Sequence, residues 1–426
     1  MTRPRLGLRA NARQFALLVA LNLVVGALVG LERSVLPLVG ERDFGLASSS
    51  AVLAFVVAFG LAKAIANLAA GGLADRLGRR RLLLLGWLLA LPVAPLVALA
   101  PRWEWIVAAN LFLGAGQGLA WSMTVVMKID LAGPRRRGLA LGLNESAGYL
   151  GVAAAALLTG LLAATIAPRT VVWVGSALVA GLGLVVTALF VRDTGAHVAA
   201  EQQERGPSAP PLSLRAAFAR GTVGDPVLRA ASQAGLVNNV NDALAWGLAP
   251  LHLAAHGASV RQIGLVAGVY PAVWGAGQIG TGWLSDRVGR KPLIVLGMLV
   301  QAGALALLVD GAFGAALAAA VLLGVGTALV YPTLIAAVSD TVQPVDRAPA
   351  VGVYRFWRDF GFVAGAAGGG AVADLVGAGA AIAAVAGLTA DSGLWVAATT
   401  WRGPRPHRRV SDDPSAKPIA GIESPT

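Results

Sequence analysis

Long apolar runs alternate with short polar breaks along almost the whole chain. The runs fall at residues 15–38, 50–70, 82–100, 105–127, 139–166, 170–191, 230–253, 262–282, 292–310, 313–335, 349–372 and 376–396. Most are close to the roughly 20 residues that an α-helix needs to cross the hydrocarbon core of a bilayer. The pattern therefore predicts an all-α membrane protein with twelve transmembrane helices.

The composition agrees with this pattern. Hydrophobic residues make up 56% of the 426 residues and charged residues 13%, whereas soluble domains carry about 25% charged residues. The 54 glycines suit helices that pack closely in a membrane. The sequence contains no cysteine, and its four histidines lack metal-ligand spacing. We therefore expect no disulfide framework, no metal site and no other cofactor.

The Lys and Arg residues lie mainly in every second loop, as in Arg79–Arg81 and Arg135–Arg137. The other loops hold only Arg42, Arg102, Arg169 and Arg261. By the positive-inside rule, both termini are expected in the cytoplasm, with the chain in the cytoplasmic membrane. The net charge of +12 is thus read as a topology signal. A nucleic-acid partner is not expected, since it would need a basic patch on a soluble face.

A polar stretch rich in Gln, Pro and Gly divides the chain nearly in half, between Arg192 and Arg229. Low hydrophobicity with Pro and Gly is typical of a flexible linker. We predict an N-terminal six-helix bundle at residues 1–195, a cytoplasmic linker at 196–228, a C-terminal six-helix bundle at 229–400 and a disordered cytoplasmic tail at 401–426.

The two predicted bundles share a repeated motif. The sequence G-G-L-A-D-R-L-G-R-R at residues 71–80 returns as G-W-L-S-D-R-V-G-R-K at residues 282–291. Further pairs follow at an offset of about 210 positions, among them Asp130 with Asp340 and Trp121 with Tyr331. Two related halves with a site between them near the membrane midplane are typical of transporters. The repeat therefore predicts two pseudo-symmetric bundles.

The G-x-x-x-D-R-x-G-R-[RK] pattern resembles the signature loop of the major facilitator superfamily, and the resemblance extends from about residue 15 to 400. Within the family, the nearest resemblance is to the drug:proton antiporter branch. It implies a conformational latch at Gly71, Asp75, Arg76, Gly78, Arg79, Gly282, Asp286, Arg287, Gly289 and Arg290. An Asp can accept hydrogen bonds from a neighbouring helix N-terminus. Alternatively, the arginines act only as topology signals.

Several charged residues fall inside the predicted spans, where they are costly and therefore functional candidates. Arg355, Arg358 and Asp359 share one helix face at i, i+3 and i+4. The resemblance packs spans 2 and 11 together, which implies that Lys63 lies near Asp359. We expect a coupling network of Glu32, Lys63, Asn67, Glu145, Arg355, Arg358 and Asp359. Its alternative is a static ion-pair scaffold. The candidate proton carriers are Glu32, Asp242 and Glu145.

In this family, spans 1, 4, 7 and 10 line a central cavity. The resemblance implies a substrate cavity formed by Asn22, Arg33, Asn110, Gln117, Trp121, Asn238, Asp242, Trp246 and Tyr331. Polar faces in a bilayer must point to protein or water, so helix packing is the alternative role for the asparagines. The repeat suggests that Trp121 and Tyr331 face each other across the cavity.

These features and the resemblance predict a secondary active transporter that works as a monomer by alternating access in the lipid bilayer. The leading interpretation is proton-coupled efflux of a small molecule. Antiporters of the drug branch carry a Gly-Pro motif late in span 5, but Gly148 to Gly160 contains no proline. The charged span 11 also leaves uptake or export of a small anionic metabolite or oxyanion open. A receptor or an enzyme is not favoured, because no catalytic motif or sizeable soluble domain is present.

Overall fold

The computed structural model describes residues 7–132, 137–197, 200, 213–342 and 347–401. Within these ranges the chain is helical and forms no strand. The side chains of Asp75, Arg76 and Asp286 lie outside the described part, although their helices are described. The predicted tail lies outside it from residue 402 onward, as do residues 201–212 of the predicted linker.

The N-terminal helices run from α1 to α8. They are α1 Ala12–Arg33, α2 Leu36–Phe44, α3 Ser49–Leu77, α4 Arg79–Ala90, α5 Val93–Leu99, α6 Trp103–Ala132, α7 Arg137–Leu162 and α8 Pro168–Phe190. A short helix, α9 Leu214–Ala219, and the π-turn Arg220–Gly224 follow inside the predicted linker. This end of the predicted linker therefore contains short helical segments.

The C-terminal helices run from α10 to α16. They are α10 Pro226–Ala243, α11 Ala249–Ala255, α12 Val260–Val288, α13 Arg290–Leu308, α14 Phe313–Thr341, α15 Arg347–Val376 and α16 Ala378–Ala398. Asp225 caps α10 by accepting hydrogen bonds from the Val227 and Leu228 amides at 2.9 and 3.1 Å. Pro226 at the first helical position reinforces this start, because its missing N–H needs no partner there.

The repeated motif ends one helix and begins the next in both places. Gly78 separates α3 from α4, and Gly289 separates α12 from α13, each with φ of 87°. Glycine adopts this conformation without the steric penalty that other residues pay. The second glycine of the motif therefore sets a sharp break between two helices.

Ten helical segments in the described part are long and apolar enough to cross a membrane. The predicted seventh and eighth spans, now α10–α11 and α12, are not among them. In α10 the polar residues Asn238, Asn239, Asn241 and Asp242 lower the hydropathy, and a π-turn at Leu244–Leu248 interrupts the helix. Polar side chains of both segments are buried against other helices, among them Asn238 and Asn241 of α10 and Gln278 of α12.

Helix packing follows the same order in both parts of the chain. Helix α1 packs on α7, α3 on α6, and α4 on α6 and α8. Correspondingly, α10 packs on α15, α12 on α14, and α13 on α14 and α16. The two groups meet through α3 with α15 and through α7 with α12. The space enclosed by these two contacts is where a site between the groups must lie.

The groups are closed against each other at one end, which we call the sealed end. There Gly160 of α7 meets Gly264 of α12 backbone to backbone, and Gly370 of α15 lies against Ser50 of α3. The carboxylate of Asp374 accepts hydrogen bonds from the Ser48 hydroxyl at 2.7 Å and the Ser50 amide at 3.1 Å. Small residues thus let the two groups approach closely.

At the opposite end, which we call the open end, the same helices are less tightly packed. A methyl group placed on Gly142 of α7 or on Gly280 and Gly282 of α12 would meet no atom within 4 Å in the described part. The same holds for Gly352 of α15. The two groups therefore converge toward the sealed end.

Candidate functional site

A buried hydrogen-bond network centres on Asp359 of α15. Its Oδ1 accepts hydrogen bonds from Nε and Nη2 of Arg358, at 2.8 and 2.6 Å. Asn67 of α3 donates to Oδ2 of the same carboxylate, and Asn239 of α10 donates to Oδ1 at 3.4 Å. Arg358 and Asp359 are both buried, at 5% and 0% exposure. The site thus holds a neutral ion pair that joins the C-terminal helices to α3.

Tyr331 of α14 continues this network toward α7. Its hydroxyl oxygen accepts a hydrogen bond from Nη1 of Arg358 and another from the Tyr149 hydroxyl at 3.0 Å. Since Tyr149 belongs to the N-terminal helices, this is a second connection between the two groups. Both connections lie well inside the protein, between the sealed and open ends.

Aromatic rings cluster around Tyr149. Its ring centre lies 5.1 Å from that of Trp121, 3.5 Å from that of Trp274 and 5.7 Å from that of Tyr331. Trp121 and Tyr331 were expected to face each other across a cavity. The structure places Tyr149 between them.

Lys63 of α3 lies among aromatic rings. Its ammonium nitrogen is 5.3 Å from the ring centre of Phe59 and 5.5 Å from those of Trp121 and Phe362. A cation in such a position is attracted to the ring faces. No carboxylate of the described residues lies within 4.0 Å of it. Lys63 and Asp359 share the central cavity without forming an ion pair.

The central cavity between the two groups is small. Its volume is about 10 Å³, which is room for about one water molecule. The lining side chains are Val29, Phe59, Lys63, Gln117, Trp121, Tyr149, Val152, Asn239, Trp246, Tyr331, Asp359 and Phe362. The cavity is thus nearly closed, apolar over much of its wall, and carries one lysine and one ion-paired aspartate.

Arg33 of α1 lies beside two of these wall residues and does not line the cavity itself. Its guanidinium carbon is 4.5 Å from the ring centre of Phe59, 5.4 Å from that of Trp246 and 5.6 Å from that of Phe55. The side chain is fully buried, and none of its three nitrogens has a hydrogen-bond partner in the described part. Both carboxylate oxygens of the neighbouring Glu32 are likewise buried without a partner.

A second polar cluster joins α1, α6 and α7. Thr124 donates to Oδ1 of Asn22 at 2.8 Å, and Asn22 donates to the Asn144 carbonyl at 2.6 Å. Trp121 and Asn144 each donate to Oε1 of Glu145 at 3.0 Å. Asn22 was predicted to line the substrate cavity, with helix packing as the alternative. Its hydrogen bonds join α1 to α6 and α7.

This cluster also holds uncompensated polar atoms. Oε2 of Glu145 is buried without a hydrogen-bond partner in the described ranges. Lys128 is fully buried, and its ammonium donates to the Leu18 carbonyl at 2.9 Å. A buried carboxylate and a buried ammonium are costly inside a membrane protein, so both are functional candidates.

Asp242 of α10 contacts α12, where the Tyr270 hydroxyl donates to its carboxylate. The Tyr270 hydroxyl also lies 3.2 Å from that of Thr327. Both side-chain polar atoms of Asn238 are buried without partners in the described part. Asp242 therefore lies in a pocket of hydroxyl groups on the C-terminal side.

The remaining predicted cavity and network residues lie outside these contacts. Asn110 donates to the Ile106 carbonyl of its own helix at 3.2 Å. Arg355 is partly buried and makes no hydrogen bond to Asp359 or Tyr331. Arg355 thus shares a helix face with Arg358 and Asp359 without joining their hydrogen bonds.

The predicted latch shows two equivalent ion pairs. Arg79 lies 3.5 Å from Asp130, and Arg290 lies 3.0 Å from Asp340. Asp130 also accepts a hydrogen bond from Thr194 at 2.6 Å. Each pair ties the start of one helix to the end of another within its own group. Asp75, Arg76 and Asp286 cannot be placed in these contacts because their side chains lie outside the described part.

Sequence reasoning missed several residues of the site. They are Tyr149, Tyr270, Trp274, Asn239, Phe59 and Phe362. A signal was present for three of them, because Glu145 with Tyr149 and Tyr270 with Trp274 stand four residues apart and so share a helix face. Aromatic residues in apolar helices otherwise look like ordinary packing.

Comparisons with known proteins point to one family. The model of the family described as Major Facilitator Superfamily matches residues 18–234 and again 231–424. The chain is 28% identical over 235 residues to the probable 4-methylmuconolactone transporter of Cupriavidus pinatubonensis, covering 55% of this chain and 54% of the relative. It is 32% identical over 222 residues to the 3-(3-hydroxy-phenyl)propionate transporter of Escherichia coli, covering 50% and 51%.

These alignments span about half the length of the curated relatives. The crystal structure of the human organic anion transporter MFSD10 superposes with a TM-score of 0.67 at 18% identity, covering 90% of this chain and 99% of that chain. At this identity the likeness concerns the fold alone.

Proposed function

This chain belongs to the major facilitator superfamily, and we propose that it is a proton-coupled secondary transporter of a small organic anion. The observation that carries the proposal is Lys63, whose ammonium lies among three aromatic rings on the central cavity with no carboxylate within 4.0 Å in the described part. An unpaired buried cation is costly. An anionic substrate would supply the missing counter-charge.

The aromatic wall indicates what the rest of the substrate looks like. Phe59, Trp121, Trp246 and Phe362 offer flat apolar surfaces beside Lys63. Such rings pack well against another planar, unsaturated body. The name 3-(3-hydroxy-phenyl)propionate describes a carboxylate joined to an aromatic ring, and that relative supports the same substrate class here.

The proposed architecture is twelve spans in two pseudo-symmetric bundles, at residues 1–195 and 229–400, joined by a linker at 196–228. Three observations support it: the helix packing order recurs, Gly78 and Gly289 share a φ of 87°, and the repeated ion pairs occupy matching positions. We place a monomer in the cytoplasmic membrane with both termini and the linker in the cytoplasm. The sealed end then faces outward and the open end faces the cytoplasm.

Alternating access follows from the contacts between the two groups. Opening the sealed end separates Gly160 from Gly264 and Asp374 from Ser50. The deeper hydrogen bonds, from Asn67 to Asp359 and from Tyr149 to Tyr331, cross the same boundary and must rearrange as the groups rock. The motif residues at Asp75 and Asp286 are proposed to hold the open end closed in the opposite state.

Proton coupling is assigned to the buried carboxylates. Glu32 and Glu145 each have carboxylate oxygens without a partner in the described part, and Asp242 accepts a hydrogen bond from Tyr270. A negative charge on these groups repels an incoming anion, whereas a bound proton removes that repulsion. Efflux is the direction predicted from the sequence. Uptake by anion–proton symport is the second candidate, because proton and anion neutralise each other in a buried site.

Binding to the purified protein tests the substrate class. We expect 3-(3-hydroxyphenyl)propionate to raise the unfolding temperature and Lys63→Gln to abolish the effect, while Lys63→Arg retains part of it. Arg169→Gln is the control. Its guanidinium donates to the carbonyls of Val97, Ala98 and Ala100 at the rim of the helices, away from the cavity. Unchanged stabilisation in Lys63→Gln would remove this residue from the binding site.

A further inference from the structure

Arg33, like the neighbouring Glu32, is a buried charged residue whose side-chain hydrogen-bonding capacity is wholly unused in the described part. The side chain has 0% exposure, and Nε, Nη1 and Nη2 all lack partners in the described part. Leaving a buried charged donor unsatisfied is costly. Arg358 provides the contrast, since its guanidinium binds both Asp359 and Tyr331.

In the described part, no carboxylate forms a hydrogen bond or a close ion pair with Arg33. Glu32 precedes it in α1, and the side-chain oxygens of Glu32 have no hydrogen-bond partner there either. Asp242 is occupied by the Tyr270 hydroxyl. The guanidinium instead contacts the rings of Phe55, Phe59 and Trp246.

Arg33 and Lys63 share one of these rings. The guanidinium carbon lies 4.5 Å and the Lys63 ammonium 5.3 Å from the centre of Phe59. Phe59 and Trp246 line the central cavity, so Arg33 contacts two residues of the cavity wall without lining the cavity itself. The indole nitrogen of Trp246 is also buried without a partner in the described ranges. Rotation of these rings would expose an arginine fork and an indole N–H to the cavity.

We propose that Arg33 forms a second anion subsite, so that the substrate carries two acidic groups on one planar body. This inference rests on the proposed function and makes it more specific. Lys63 holds one acidic group as a point charge. Arg33 binds the other through its planar fork, which matches the two oxygens of a carboxylate. The aromatic wall between them packs against the body of the substrate.

Two probes of the same ring size separate one acidic group from two. Benzoate carries one carboxylate, and terephthalate carries two at opposite ends of the ring. Dissociation constants are measured by calorimetry on the purified full chain. We expect terephthalate to bind at least about tenfold more tightly than benzoate, since a hydrogen bond to a charged group contributes that much or more.

The variants assign this preference to a residue. Arg33→Gln should remove the preference for terephthalate and leave benzoate binding within about twofold of the unmodified protein. Arg33→Lys should keep part of the preference, because charge remains and bidentate contact is lost. Arg169→Gln, another arginine beside an aromatic ring, should keep it fully, since its guanidinium is satisfied by carbonyls.

The outcomes distinguish the second anion subsite at Arg33 from the proposed transport of an organic anion. Equal affinity for both probes, or an equal loss of both in Arg33→Gln, would overturn the second subsite while the anion site at Lys63 stands. Failure of the unmodified protein to bind either probe would count against the organic-anion function and the inference together. If Arg33→Gln does not fold, the comparison of Arg33→Lys with the unmodified protein decides: a preference equal in both overturns the subsite.

Discussion

Asn67 of α3 donates a hydrogen bond to Asp359 of α15, and so joins the two halves of the protein at the depth of the central cavity. The same amide accepts a hydrogen bond from the Ser122 hydroxyl at 2.7 Å. Asp359 in turn holds Arg358. In the described part, Asp359 is the only counter-charge within hydrogen-bond reach of Arg358. Rocking of the two halves would change the Asn67–Asp359 contact and so disturb this ion pair.

Changing Asp359 to Asn should abolish transport while the protein still inserts into the membrane. Arg358 would then be buried without its counter-charge, and breaking a buried pair costs about 3–5 kcal/mol. Flux in proteoliposomes and the unfolding temperature of the purified protein measure the two effects. The double variant Arg358→Gln with Asp359→Asn should recover part of the stability but no transport. Wild-type flux in the single variant would remove Asp359 from the mechanism.

Changing Tyr331 to Phe should slow transport by roughly tenfold, because Arg358 and Tyr149 both lose a partner and each such bond is worth about 0.5–3 kcal/mol. Tyr149→Phe should have a smaller effect, since it removes one hydrogen bond at 3.0 Å. A double-mutant cycle on the exchange rate gives the coupling between them. Strictly additive effects would show that the Tyr149–Tyr331 contact does not matter to transport.

Changing Asp374 to Ala should loosen the sealed end. This carboxylate binds the Ser48 hydroxyl and the Ser50 amide at the N-terminus of α3 from the opposite half, where the helix dipole favours an anion. The sequence contains no cysteine, so a single Ser49→Cys replacement, at a half-buried position beside this contact, reports accessibility without background. We expect its labelling rate to rise several-fold in the Ala variant.

The matched control for this experiment is Asp310→Ala, at another turn between helices, which should leave labelling at position 49 unchanged. An unchanged rate in Asp374→Ala would mean that glycine packing alone closes this end.

The sequence predicted the apolar helices well because membrane spans require long hydrophobic runs, and only two polar segments departed from that pattern. In α10 the polarity arises from Asn238, Asn241 and Asp242, which are buried against other helices. Composition cannot separate a polar face that meets protein from one that meets water. The same ambiguity applies to Asn22, for which both a cavity role and helix packing were expected, and which bonds Asn144 and Thr124.

The sequence indicated which charged residues belong to the candidate site, but not which residues they interact with. The charges inside the predicted spans identified Lys63, Glu145, Arg358 and Asp359 as candidates, because a charged side chain in the hydrocarbon region is energetically costly. The partners depend on side-chain direction and helix rotation. Arg358 therefore pairs with its immediate neighbour Asp359, whereas Glu32 and Arg33, also neighbours, do not pair.

The central claim is that a small organic anion moves through this protein together with a proton flux. Its most direct test is the flux of 3-(3-hydroxyphenyl)propionate into proteoliposomes under an imposed pH gradient, with the membrane potential clamped. The account predicts that the gradient drives accumulation above equilibrium, that reversing the gradient reverses the flux, and that Lys63→Gln abolishes both. Flux that follows the substrate gradient alone, indifferent to pH, would contradict it.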